Sequence, residues 1–226
     1  MLLSDPPTRT DLPRISMRAR RPGSDQDRLL VVGLRNPGPD YEGTRHNVGG
    51  EVVRKVAYGE SFKRAARRIL AEVVEADIDG RRAVLALPAT FMNESGGPVS
   101  GLARYYGIET NRLVLVHDDI DLPFGKLRFQ AGRGAGGHNG VASVMRSLGS
   151  RDVWRLKIGV GRPPGRMDPA DFVLRPFSKA ERADVDLMVA EAADTVRRFI
   201  AAGGDEAQQY AGEATRRLGI ATEDGR

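Results

Sequence analysis

Arg28-Leu-Leu-Val-Val-Gly-Leu-Arg-Asn-Pro-Gly-Pro-Asp-Tyr-Glu-Gly-Thr-Arg-His-Asn-Val-Gly49 is the stretch from which the fold can be read. Residues 29–34 form a short apolar run closed by Asn36-Pro37-Gly38; the run is too brief for a helix and suits a buried strand. The loop that follows delivers Tyr41, Arg45, His46 and Asn47 together, with Asn47 placed to cap the next helix. Polar groups at the carboxyl end of a buried strand are where open α/β folds place their ligands.

The same alternation continues along the chain. A helix is expected over residues 48–58, although Gly49 and Gly50 each weaken its first turn by about 1 kcal/mol relative to Ala. After a basic knot of Lys63, Arg64, Arg67 and Arg68, two apolar runs flank Asp79-Gly80, a hairpin signal. Pro88 ends the second run, and residues 90–96 lead into a helix with Val99, Leu102 and Tyr106 on its apolar face, closed by Gly107. Residues 113–116 are a second buried strand, feeding directly into His117-Asp118-Asp119-Ile120-Asp121. Residues 125–130 alternate in polarity, as a half-exposed strand does. A glycine loop, a helix over 141–148, a strand over 154–161 and a short helix from Pro169 follow. A long amphipathic helix over 178–202 is stopped by Gly203-Gly204, and a weaker helix covers 205–217. This order predicts a single α/β domain, a mixed and mainly parallel twisted sheet flanked by helices, with antiparallel edges. The expected organisation is a disordered extension over 1–28, a catalytic domain over 29–204, and a C-terminal helix and tail over 205–226.

Composition narrows the function classes. At 226 residues and 40% apolar content, the chain can bury one substantial core. No apolar run approaches the roughly 20 residues that span a bilayer. Residues 1–28 hold four Pro, six Arg and four Asp and no apolar core of a signal peptide, and the Asp residues argue against a transit peptide. With no cysteine for disulfides or thiolate metal sites, a cytoplasmic setting is expected. The net charge is +5, and Arg outnumbers Lys 30 to 5. The excess reads either as a set of forks for phosphate or as compositional bias.

The three histidines, His46, His117 and His138, all fall in polar segments at strand ends. A neutral His46 at a helix start suits a general base; the alternative is a capping or structural histidine. Asp118, Asp119 and Asp121 suit Mg²⁺ through oxygen ligands, or Asp118 orients a histidine while the others serve as turn residues. Residues 132–137 match the G-x-G-x-x-G pattern of a dinucleotide site, but the strand before them alternates in polarity, and the glycines equally fit the approach of a nucleic-acid phosphate. Asn36, Asn93 and Asn139 supply neutral carboxamides that can donate to a carbonyl or oxyanion.

Five motifs in order now resemble the bacterial peptidyl-tRNA hydrolase family. They are Gly33-Leu34-Arg35-Asn36-Pro37-Gly38, Thr44-Arg45-His46-Asn47-Val48-Gly49, Thr90-Phe91-Met92-Asn93-Glu94-Ser95-Gly96, His117-Asp118-Asp119-Ile120-Asp121-Leu122-Pro123 and Gly136-Gly137-His138-Asn139-Gly140. The resemblance implies hydrolysis of the ester joining a peptide to the 3′ ribose of tRNA, by a monomer without metal or cofactor. It implies that His46 activates water, that Asp118 orients it, and that Asn93 and Asn139 assist the oxyanion. Asn36 and Met92 would hold the peptide, Tyr41 and His138 line the cleft, and Lys157 grip the tRNA 5′ phosphate. The chain departs from the family at Arg35, usually small, at Gly50, usually aromatic, and at Gln130, usually basic. Arg128 or Arg133 is expected to supply the charge that Gln130 lacks. A non-catalytic RNA-binding relative and a dinucleotide-binding oxidoreductase are the alternatives.

Overall fold

The computed structural model describes residues 28–66 and 68–219. The expected extension therefore lies outside the described residues apart from Arg28, as do Arg67 and residues 220–226. Among the described residues, seven strands form one sheet: β1 (Leu29–Gly33), β2 (Lys63–Arg64), β3 (Ala71–Ile78), β4 (Arg81–Pro88), β5 (Leu113–Asp119), β6 (Leu127–Gln130) and β7 (Trp154–Gly159), in the order β2-β3-β4-β1-β5-β7-β6. The four central strands run parallel, whereas β2 and β3 at one edge and β6 at the other join through antiparallel pairs. Parallel pairing is thus confined to the centre, where helices cover both faces.

Alternation along the central strands divides the core in two. Leu29, Val31, Val114 and Val116 point to the side carrying α1 (Val48–Val56), α5 (Arg182–Ala202) and α6 (Gly204–Leu218). Leu30, Val32, Leu113 and Leu115 point to the side carrying α2 (Gly96–Tyr106) and α3 (Asn139–Leu148). A strand buried on both faces needs an unbroken apolar run, which is why β1 and β5 were recognisable. A short helix, α4 (Pro169–Val173), completes the set.

Local chemistry accounts for the element ends. Ile78 pairs with Arg81 across a two-residue turn in which Asp79 and Gly80 have φ of 52° and 78°, the left-handed pair that a type I′ hairpin demands. Helix α3 begins two residues earlier than expected because the His138 ring accepts the Val141 N–H and caps it. Helix α5 begins later, at Arg182, after Ser178 and Glu181 close a reciprocal capping box: the Ser178 N–H donates to Glu181 Oε2 at 2.6 Å, and the Glu181 N–H to Ser178 Oγ at 3.2 Å. Helix α6 buries Ala207, Ala211 and Ala214 in the same core as α5. It also shields the edge strand β6, because Thr215 Oγ1 accepts the Leu127 N–H at 2.9 Å.

Gly49 has a steric reason for its place in the first turn of α1. A Cβ there would lie 2.1 Å from the Val116 carbonyl oxygen, so only glycine lets the helix press onto β5. That contact brings the turn carrying His46 against the end of β5.

Candidate active site

The site is assembled at the carboxyl ends of β1, β4 and β5, the crevice where open α/β sheets bind ligands. His46 is the middle residue of a single 3₁₀ turn, Arg45–Asn47, and Asp118 is the buried penultimate residue of β5. His46 Nδ1 and His138 Nε2 lie 2.9 Å and 3.0 Å from the same oxygen, Asp118 Oδ1. His138 Nδ1 accepts the backbone N–H of Val141 at 3.3 Å, so in the neutral ring the proton sits on Nε2 and is donated to Asp118. A carboxylate is an acceptor only, so His46 likewise donates from Nδ1. Its Nε2 is left with a free lone pair, on a side chain that is 12% exposed. This is the arrangement that general-base chemistry requires.

Electrostatics maintains it. Burial by itself would push the Asp118 carboxyl up, but the two rings and their hydrogen bonds, His138 first, hold it well below the usual carboxylate range. His117 lies beneath: its Nδ1 donates to the Asp118 carbonyl at 2.6 Å, and its ring packs edge-on against His138 at 4.6 Å between centroids. Burial, with His138 adding to it, keeps the His117 imidazole well below its ordinary value and therefore neutral.

The donor set also bears on metals. Ligand atoms of His46, Asp118 and His138 lie within 4.8 Å of one another, a composition that transition ions accept. The Val141 N–H nevertheless fixes the proton on His138 Nε2, so that atom offers a hydrogen and not a lone pair. Of the two alternatives for Asp118, Asp119 and Asp121, the geometry favours the one in which Asp118 orients a histidine. Asp119 pairs with Lys157 at 2.6 Å and accepts the Asp121 N–H at 2.8 Å, while Asp121 pairs with Arg162, so the three carboxylates do not converge.

Three further loops close around this centre. Asn36 is buried, and its Oδ1 accepts the Met92 N–H at 2.8 Å. Asn47 does not cap α1 with its side chain; it reaches back to the Asn36 backbone, accepting its N–H at 2.8 Å and donating to its carbonyl at 2.9 Å. Met92 packs on the start of α3, where a Cβ on Gly140 would stand 2.5 Å from Met92 Sδ and 3.2 Å from His138 Cε1. Asn93 follows Met92 and Asn139 follows His138, both exposed. Tyr41, half-buried, stands edge-on to the exposed Phe91 ring at 6.2 Å.

The cations expected to meet the tRNA lie on β7, on β6 and in the glycine loop after β6. Lys157 is committed to Asp119, and Arg128 stands opposite it on β6, exposed. Arg133 is exposed in the glycine loop, and with Arg128, Gln130 and Gln208 it lines a groove of about 480 Å³ between β6 and α6. Arg155, across from Gln130, is a buried cation that the sequence did not announce. Its Nη1 donates to the Gly134 carbonyl at 2.7 Å, under the loop. Because β6 is an antiparallel edge strand, the glycine pattern after it is not a dinucleotide fingerprint, which needs a parallel βαβ unit.

Two of the departures prove to be linked. The stem of Arg35 lies over Gly50, its Cδ 3.2 Å and its Cβ 3.3 Å from where a Gly50 side chain would begin, and its guanidinium reaches Glu72 at 2.9 Å. A long side chain at 35 thus occupies the space that a large residue at 50 would fill.

Comparison with known proteins agrees with this architecture. The family described as peptidyl-tRNA hydrolase matches residues 30–217. The peptidyl-tRNA hydrolase of Frankia casuarinae is 50% identical over 179 residues, covering 79% of this chain and 91% of that protein. That of Rhodococcus opacus is 48% identical over 185 residues, covering 81% and 97%. The crystal structure of peptidyl-tRNA hydrolase from Acinetobacter baumannii superposes with a TM-score of 0.73 at 27% identity, over 88% of this chain and 99% of that one. With nearly the whole described fold matched and the five motifs gathered at one end of its sheet, the chain belongs to the peptidyl-tRNA hydrolase family.

Proposed function

We propose that this chain hydrolyses the ester between a peptide and the 3′ ribose of tRNA, with His46 as the general base. The observation that carries the reading is the pair of hydrogen bonds from His46 Nδ1 and His138 Nε2 to one Asp118 oxygen, which leaves His46 Nε2 to take a proton. A water held at that nitrogen loses its proton as its oxygen attacks the ester carbonyl carbon. The resulting oxyanion is stabilised by the carboxamide N–H groups of Asn93 and Asn139. Collapse expels the ribose 3′ oxygen, which receives the proton from the His46 imidazolium, releasing peptide and tRNA. Asp118 keeps the ring in its tautomer and stabilises the transient cation.

The cleft bounded by Asn36, Tyr41, Met92 and His138 takes the peptide, and Lys157, Arg128 and Arg133 face the tRNA. An activated ester needs a base, a positioned water and neutral donors, so neither metal nor cofactor enters the scheme. The enzyme acts as a monomer in the cytoplasm. The test is release of tRNA from N-acetyl-aminoacyl-tRNA in the presence of a chelator, for the parent chain and His46→Ala. Release by the parent and its loss in the variant are expected. Full activity in His46→Ala would remove the base assignment, and an inactive parent would favour an RNA-binding role.

A further inference from the structure

We propose that Arg45 is a positioning residue for His46, and that its guanidinium holds the base in register with Asp118 by clasping the His46 turn to residues 172–181. The proposal rests on the reading of His46 as the base. A 3₁₀ turn is a weak element, and this one spans three residues before it runs into α1 at Val48. Its backbone is closed by the Asn47 N–H to Thr44 carbonyl bond, at 3.0 Å, and by the Val48 N–H to Arg45 carbonyl bond. Asn47 ties one side of the turn to the Asn36 backbone, which leaves the Arg45 side to be fixed by what it meets outside the turn.

Arg45 supplies that hold. Its side chain is 8% exposed and lies over two rings, 4.3 Å from the Phe172 centroid and 4.9 Å from that of Phe177. Nη1 donates to the Pro176 carbonyl at 2.9 Å and the Arg175 carbonyl at 3.4 Å, and Nη2 pairs with Glu181 Oε1 at 2.6 Å. The backbone adds two bonds: Arg45 N–H to the Arg175 carbonyl at 3.2 Å, and Phe177 N–H to the Gly43 carbonyl at 3.0 Å. Glu181 is held in turn by its capping box with Ser178.

The other end of the same segment is fastened to the strand that carries Asp118. The Val160 N–H donates to the Asp119 carbonyl and the Gly161 N–H to the Leu122 carbonyl, each at 3.1 Å. The chain from Val160 to Glu181 therefore runs from the carboxylate's strand to the base's turn, and Arg45 is the clasp at the second end. Lysine cannot replace it, because a point charge on a flexible stem neither forks between two carbonyls and a carboxylate nor stacks between two rings.

The test uses the full chain and three variants, Arg45→Lys, Glu181→Gln and His46→Ala, with N-acetyl-aminoacyl-tRNA as substrate. Misplacing a base by about 1 Å can cost about a hundredfold, so Arg45→Lys and Glu181→Gln should each lose about 10- to 100-fold in kcat with KM within about twofold. The low-field Nδ1 proton resonance of His46 should broaden or vanish in both, although both remain folded by circular dichroism. A kcat within about threefold of the parent in both variants, or a loss carried by KM, overturns the proposal. If Arg45→Lys does not fold, Glu181→Gln decides alone. Activity retained in His46→Ala would fault the base reading instead, whereas an inactive His46→Ala beside unimpaired Arg45→Lys and Glu181→Gln faults only the clasp.

Discussion

Replacing Asp118 by Asn separates the charge at the centre of the site from its shape. Both neighbouring donors converge on one oxygen, Oδ1, so an amide oxygen can take that position and keep both hydrogen bonds. What disappears is the negative charge facing the His46 ring as it becomes a cation. Two unit charges about 4 Å apart are worth about 4 kcal/mol at an effective dielectric of 20, which at about 1.4 kcal/mol per tenfold is close to a thousandfold in rate. Because Asp118 also accepts from His138, some of its charge is already engaged, and we expect a fall in kcat of about 10²- to 10³-fold with KM little changed. The assay is single-turnover release of tRNA from N-acetyl-aminoacyl-tRNA at saturating enzyme, with the variant's fold checked by its melting curve. A fall of less than about tenfold, or one that shows in KM, would refute the role given to the carboxylate.

Three other outcomes follow from the same geometry. His117 is held neutral by burial, so the unfolded chain binds a proton there that the folded chain does not; stability should rise with pH up to the ordinary histidine value of about 6.5 and level above it. Urea titrations across that window should show the slope reduced in His117→Gln, and an unchanged slope would reassign it. Gly50→Phe should cost about 1–3 kcal/mol by overpacking against Arg35, and much of that cost should disappear in an Arg35→Ala background, as a double-mutant cycle of urea midpoints would show. Arg128→Ala and Arg133→Ala should weaken tRNA binding and flatten the dependence of log K on log salt by about 0.7–0.9 for each phosphate no longer neutralised; unchanged slopes in both would mean that they do not compensate for Gln130.

What could be read along the chain is what neighbours in sequence decide. The unbroken apolar runs of β1 and β5 announce strands buried on both faces, Asp79-Gly80 announces a type I′ hairpin, and Gly107 and Gly203 mark helix ends. These are matters of backbone dihedrals and side-chain period, which a window of a few residues contains. The polar strand ends were also visible, and with them the residues from which the site is drawn.

The partners of those residues were not. Nothing local says that Asn47 turns back to the Asn36 backbone, that Lys157 is spoken for by Asp119, or that Arg35 fills the space beside Gly50. Nor does it say that a backbone N–H at Val141 fixes the proton on His138, or that donation from His46 Nδ1 to Asp118 leaves the free lone pair of that ring on Nε2. Each of these depends on strand order and on how closely α1 and α3 press against the sheet. The sequence by itself determined the elements and the chemical types at their ends. Tertiary structure alone decided which of those groups meet and which atom of each is left to act, because hydrogen bonds are formed across space between residues as far apart as His46 and Asp118, and their geometry exists only once the sheet has brought the loops together.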